Sequence, residues 1–219
     1  MEGWKTCRNG GQDMIERIRI GYANCYLLSG GGGSILIDSC NYKDGPKIYK
    51  RIKDKSVKLI LLTHGHFDHV SSAKYLSDRL HVPIAMSEKD LRILGKGEGS
   101  ILHGTTALGK IFSLFSKPVL KKATYSAFTP DLLLADGQDL SKYGVRARVI
   151  ALPGHTQGSI GVLTKDGDFV VGDAMFNIIR PTVARIFEDK EMMLQSVEKI
   201  KKSPARTIYV GHGRPVKNK

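Results

Sequence analysis

The chain has 219 residues, 41% hydrophobic and 25% charged, which suits one domain of fair size whose core needs no disulfides. No apolar run approaches the ~20 residues of a membrane-spanning helix, the N-terminal stretch lacks the features of a secretory signal, and the odd count of three cysteines (Cys7, Cys25 and Cys40) without CxxC spacing predicts free thiols in the cytoplasm. A net charge of +13 and an isoelectric point near 9.7 favour anionic partners, although the basic residues are scattered rather than blocked.

Two sets of strands are predicted. The first is ERIRI (16–20), CYLLS (25–29) and SILID (34–38), joined by glycine-rich turns in the manner of an antiparallel meander. A helix is expected near 45–54, and VKLILLT (57–63) reads as a strand covered on both faces. Ala73, Leu76 and Leu80 then recur at helical spacing, with Ser71 and Ser72 as candidate caps, before a short strand VPIAM (82–86). The second set is VRARVIAL (145–152), SIGVLT (159–164) and DFVVG (168–172), with a KDG hairpin turn between the last two. Met193, Val197 and Ile200 mark a helix over 188–202, and TIYV (207–210) closes the chain as a strand. Strands followed by helix, twice, fit an α/β protein in which two sheets pack together with helices on the outer faces.

Residues 95–128 interrupt this rhythm. Leu108, Ile111, Phe112 and Phe115 form one apolar helical face that Lys117-Pro118 ends, and Lys96 to Phe128 holds five lysines and one acid. A helix packed on the domain is one reading of this basic insertion. A lid or a peripheral membrane contact is the other.

The chemistry concentrates in THGHFDH, residues 63–69, directly after a buried strand. His64 and His66 stand two apart, so in an extended segment both imidazoles point to one ion. Asp68 and His69 fall where the chain turns into a helix, which aims them at a second point. Tetrahedral zinc with an open position needs about three protein ligands. Further donors stand at His155 in LPGHTQGS, Asp173 in VVGDAMF and His212 in YVGHGRP, each read as lying at a strand end beside glycine. Five of the seven histidines belong to this set; His81 and His103 are left without a role.

THGHFDH, PGHT, GD and GHG in that order resemble the metallo-β-lactamase superfamily, in the style of its glyoxalase II-like hydrolases, and the likeness runs from NCYLLSGGGGSILID to the last histidine. The resemblance implies a four-layer αββα sandwich of two mixed sheets with a dinuclear site at one edge. By position, His64, His66 and His155 hold one ion, Asp68, His69 and His212 hold the other, and Asp173 bridges them. Two dications bring a shared water towards a neutral pKa and make it a hydroxide nucleophile, with Asp68 as candidate proton acceptor. Imidazoles and carboxylates without thiolate suit two zinc ions and also admit iron or manganese; His66, where iron-binding flavo-diiron relatives carry a carboxylate, favours zinc.

The expected substrate is a small anionic thioester, ester or lactone. Glyoxalase II enzymes carry a C-terminal helical domain for glutathione thioesters, whereas this sequence ends seven residues after His212, which argues against that substrate. HxHxDH and the lack of a signal argue against β-lactam hydrolysis. A mononuclear iron persulfide dioxygenase and a phosphodiesterase or nucleic-acid-directed member are the alternatives in this fold. Nucleic acid is disfavoured by the absence of further histidine motifs, and a basic binding module with structural metals is the alternative outside enzymes. Arg180 and Arg185 are candidates to bind a substrate carboxylate or phosphate, Tyr22 and Asn24 to line the cleft, and Cys40 reads as a small core residue. Oligomeric state is not encoded in these patterns.

Overall fold

The computed structural model describes residues 12–21, 23–94, 127–184 and 186–218. The 95–128 insertion, save Ala127 and Phe128, lies outside the described residues, as do Cys7, Tyr22, His103 and Arg185.

The first half builds one mixed sheet. Strands β1 (Met14–Arg19), β2 (Asn24–Gly30) and β3 (Gly33–Ile37) form the antiparallel meander that the glycine turns predict. Helix α1 (Gly45–Ile52) carries the chain over to β4 (Val57–Leu61), which joins β3 in parallel. A single helical turn α2 (Phe67–Val70) and helix α3 (Ala73–Leu80) lead to β5 (Ile84–Ser87), and β6 (Leu132–Leu134) completes the sheet in the order β1-β2-β3-β4-β5-β6. The second half contributes β7 (Ala147–Ala151), β8 (Ile160–Thr164), β9 (Asp168–Asn177), β10 (Thr182–Val183), helix α4 (Lys190–Lys201), β11 (Thr207–Gly213) and β12 (Val216–Lys217). Its sheet runs β12-β11-β9-β8-β7, with β10 added to β9.

Period-two alternation explains the layering. Along β3, Ile35 and Ile37 enter the cluster between the sheets, where Tyr26, Leu59, Leu61, Val149, Val162 and Val170 meet them. Leu36, one residue out of step, points the other way and packs with Ile48 and Ile52 of α1 and Leu76 of α3. The second sheet repeats the device: Val170 faces inward, while Phe169 and Val171 pack outward on Val197 and Ile200 of α4. Helix, sheet, sheet and helix are therefore stacked as an αββα sandwich. Cys25 and Cys40 are buried free thiols in the outer layer under α1 and α3, which agrees with the core reading of Cys40. Among the described residues no helix is long and apolar enough to cross a membrane.

Three local expectations need correction. Ser72 does not cap α3: its hydroxyl, like that of Ser71, donates to a backbone carbonyl elsewhere, Asn41 O for Ser72 and Phe67 O for Ser71. Asp173 is not at a strand end, because β9 continues to Asn177. His212 likewise lies within β11 rather than after it. The reason is the irregular β9–β11 pairing, whose register shifts between Tyr209 and Val210 and again between Val210 and His212. Such bulges re-aim a side chain without ending the strand. Gly172, just before Asp173, has φ +53°, and a Cβ there would stand 2.6 Å from Thr63 Oγ1.

Candidate metal centre

Both sheets deliver donors to one edge of the sandwich. His64 and His66 lie on the loop after β4, Asp68 and His69 on α2, His155 on the β7–β8 loop, Asp173 in β9 and His212 in β11. All seven are buried. Their ligand atoms fall into three overlapping groups, each within 4.8 Å: His64, His66 and His155; His64, His69 and Asp173; Asp68, His69 and His212. The helical turn at Phe67 brings Asp68 and His69 together with His212, while His69 also stands with His64 and Asp173.

Asp173 lies between the trios. Its carboxylate is 3.5 Å from His155 Nε2 on one side, 3.4 Å from His69 Nε2 and 3.3 Å from His212 Nε2 on the other, and 3.9 Å from His64 Nε2. Gly211 makes room for it, because a Cβ at that position would stand 2.0 Å from Asp173 Oδ1.

Hydrogen bonds away from the centre set the imidazole tautomers. His155 Nδ1 lies 2.7 Å from Ile186 O; a carbonyl only accepts, so Nδ1 carries the proton and Nε2 presents its lone pair inward. His69 Nδ1 lies 2.8 Å from Asp38 Oδ2, so it too carries a proton, and Nε2 is the ring atom that faces the centre. Thr63 Oγ1 donates to Asp38 Oδ2 at 2.9 Å, so it must accept from His64 Nδ1 at 3.0 Å. That leaves His64 Nε2 as a buried acceptor with no hydrogen-bond partner among the described residues, and Asp173 Oδ1, 3.4 Å from His69 Nε2, likewise makes no hydrogen bond among them. Orphaned acceptors in a dry pocket are costly unless a cation completes them. A donor set of imidazoles and carboxylates, its atoms a few ångströms apart, fits first-row dications.

Asp38 escaped the sequence reading as a site residue. It directly follows the apolar strand β3, and its φ of +63° turns the carboxylate onto Thr63 N (2.8 Å), Thr63 Oγ1 and His69. Asn24 does not line the cleft. Its amide donates to the carbonyls of Val210 and Gly213, both at 2.9 Å, and Tyr26 Oη donates to Val210 O at 2.6 Å. These bonds fix the stretch of β11 that carries His212. Arg180 is exposed on the β9–β10 connection, beyond Phe176, whose ring centroid is 5.1 Å from that of His212.

The trios differ in charge. Burial, followed by the neighbouring rings of His69 and His66, pushes His64 well below the usual imidazole value, and burial with His155 brings His66 down to about 3. Burial would lower His69 and His212 too, but carboxylates outweigh it. Asp173, Asp38 and Asp68 hold His69 well above its ordinary value, and Asp173 and Asp68 raise His212 to about 10. Burial in turn would raise Asp68 and Asp173, yet the His69 and His212 rings keep both below the carboxylate range.

A family model, the metallo-beta-lactamase superfamily, matches residues 18–212. The chain belongs to that superfamily. It is 26% identical to the probable metallo-hydrolase YqgX of Bacillus subtilis, over 87% of this chain and 85% of that protein. It is 27% identical to the beta-lactamase-like protein 2 homolog of Drosophila melanogaster over 88% of this chain, but spans only 59% of that longer protein. Among solved structures, BLEG-1 B3 metallo-beta-lactamase superposes with a TM-score of 0.72 at 24% identity, covering 93% of this chain and 94% of that one. TTHA1623 in a di-iron-bound form gives 0.70 at 23% identity with the same coverage. These two establish the fold, which is the αββα arrangement that the strand and helix pattern implied.

Proposed function

We propose that this metal-dependent hydrolase holds two dications, His64, His66 and His155 taking one, Asp68, His69 and His212 the other, and Asp173 both, and that it cleaves a small anionic thioester, ester or lactone. The observation that carries the reading is the Asp173 carboxylate, within 3.3–3.9 Å of imidazole nitrogens from both trios, beside the unsatisfied His64 Nε2. When bound, such ions lower the pKa of water towards neutrality and polarise a carbonyl oxygen.

The protein's own share is positioning and proton handling. Asp38, Thr63 and the Ile186 carbonyl hold three rings with Nε2 facing the centre. Asp68 stays ionised at neutral pH, so it accepts a proton and does not supply one. Phe176 stands edge-on to His155 and His212 and closes one side of the pocket with an apolar ring. Arg180, on the exposed connection beyond it, is assigned to the anionic end of the substrate. Zinc is the ion proposed, on a donor set without thiolate: the two buried cysteines lie in the outer core layer. Metal analysis of the purified chain, followed by a panel of thioesters, esters, lactones and phosphodiesters with zinc-loaded protein, tests the reading. Two ions per chain and turnover confined to acyl substrates are expected. Much less than one ion per chain, or one iron with oxygen consumption on a persulfide, refutes it.

A further inference from the structure

One buried carboxylate has no part in the chemistry above. Asp90 lies in the short 3-10 helix Glu88–Ile93 after β5 and is fully buried. Its Oδ2 accepts from Gly65 N at 2.9 Å and from Thr156 Oγ1 at 2.7 Å, and its Oδ1 accepts from Gly158 N at 2.7 Å. Gly65 is the residue between His64 and His66, and Thr156 follows His155. A single side chain from the first half of the chain thus ties together the two loops that carry one whole trio.

Close packing makes the tie exacting. A Cβ on Gly158 would stand 2.5 Å from Asp90 Oδ1, and a Cβ on Gly65 would stand 2.9 Å from Ile93 of the same segment. The Thr156 hydroxyl proton is committed to Asp90, so Ser159 Oγ must donate to Thr156 Oγ1 at 2.8 Å while accepting from Thr156 N at 3.1 Å. The loop of His155 is therefore hydrogen-bonded inward onto the carboxylate. Arg92, from the same segment, pairs with Glu188, which also accepts from Gln157 N at 2.9 Å and adds a rim contact to the same loop. The other trio is held differently: Asp38 places His69, and Asn24 and Tyr26 place the strand of His212.

We propose that Asp90 is the positioning residue of the His64–His66–His155 trio, clamping its two loops at the spacing that lets three imidazoles share one ion, and that it sets the affinity of that ion alone. The assignment rests on the metal-centre reading. An uncharged isostere breaks the clamp because an amide nitrogen cannot accept from Gly158 N, or from Gly65 N and Thr156 Oγ1, whichever way it is turned.

The test is a calorimetric Zn2+ titration of full-length protein carrying Asp90→Asn, in three backgrounds with melting curves alongside. In the otherwise native chain one ion is expected to weaken by about 10- to 100-fold, the range for residues that orient metal ligands, and the other to change by less than about twofold. In a His212→Ala background the full loss should fall on the remaining ion; in a His155→Ala background the remaining ion should be unaffected. A role in stability alone would lower the melting temperature without splitting the two affinities, so equal weakening of both ions, or of neither, overturns the assignment. Should Asp90→Asn fail to fold, Thr156→Val removes the hydroxyl that donates to Asp90 and accepts from Ser159, and is expected to weaken the same ion several-fold; no change there overturns the assignment equally. A native chain that takes up no ion defeats the metal-centre reading and this one with it, whereas two ions in both native and Asp90→Asn protein at unchanged affinity defeat only the clamp.

Discussion

His64, His66 and His155 form a trio of buried imidazoles, and Asp68, His69 and His212 form a second trio a few ångströms away, with a carboxylate reaching both. The first is a buried group in which desolvation keeps His64 and His66 unprotonated. The second is an ion-paired network in which Asp38, Asp68 and Asp173 hold His69 and His212 as imidazolium. One group is neutral and ready to ligate; the other holds protons among its carboxylates. Metal and proton compete for the same lone pairs, so the two sides of one centre are expected to fill in different ways. Neighbouring carboxylates make the difference: two lie on α2 and at the end of β3, on the side away from His155.

The largest effect should follow from removing what the trios share. Asp173→Ala is expected to cost turnover at least about 100-fold, beyond the range for groups that merely orient ligands, and to lower metal content below two ions per chain. Steady-state assay and metal analysis of the same preparation check this, and retained turnover would remove Asp173 from its bridging role. His155→Ala and His212→Ala sharpen the contrast, since each should leave one ion. After His155→Ala the surviving ion sits among carboxylates and should bind less tightly as pH falls; after His212→Ala the surviving trio should hold its ion to lower pH.

The sequence already revealed the recognised donors because metal chemistry leaves a local signature. Three histidines and an aspartate in six positions need no knowledge of the fold, and alternation along ILI and LILL is enough to define the two faces of a sheet. What stayed hidden was of several kinds. Asp38 and Asp90 act on partners 25 to 68 residues away, and no spacing encodes which distant amide a lone aspartate will meet. The exact setting of Asp173 and His212 depended on bulges in the β9–β11 pairing, a tertiary irregularity that a glycine only hints at. Strands β10 and β12, of two residues each, are too short for any periodicity to register. Ser71 and Ser72 looked like caps because serine commonly is one; Asn41 and Phe67 offered carbonyls instead.

Proton release separates the trios without any mutation. Ion uptake by His69 and His212 must displace protons that their raised pKa values retain at neutral pH, while His64 and His66 have none to lose. Zn2+ titrations at pH 7 in buffers of different ionisation enthalpy should therefore show a first ion bound with little proton release and a second with about one to two protons released per ion. Equal release for both would abolish the contrast.

The smallest expected effect lies in the stability of the chelator-treated protein. His212 has a folded pKa of about 10 against about 6.5 in an unfolded chain. A raised pKa in a base means that the folded state binds the proton more tightly, so this stabilisation is complete below about pH 6.5 and is lost as pH climbs through 10. Asp68 and Asp173, depressed by the same pairing, stabilise above about pH 4 and lose that contribution in acid. His64 and His66, held unprotonated by burial, cost stability as pH falls below about 6.5, because the unfolded chain then binds protons that the folded one refuses. Chelator-treated protein should thus be most stable near pH 6.5, and its melting point should fall by at least about 3 °C between pH 6.5 and 9, on the scale of about 1 kcal/mol for a chain of this length. Zinc-loaded protein should show much less of that alkaline decline, because the ions replace the protons. His66→Ala should leave the decline in place, since that ring is unprotonated throughout the range, whereas His212→Ala should reduce it to the share of His69. A decline undiminished by His212→Ala would mean that the charge of the second trio lies elsewhere than on the ring between Asp68 and Asp173.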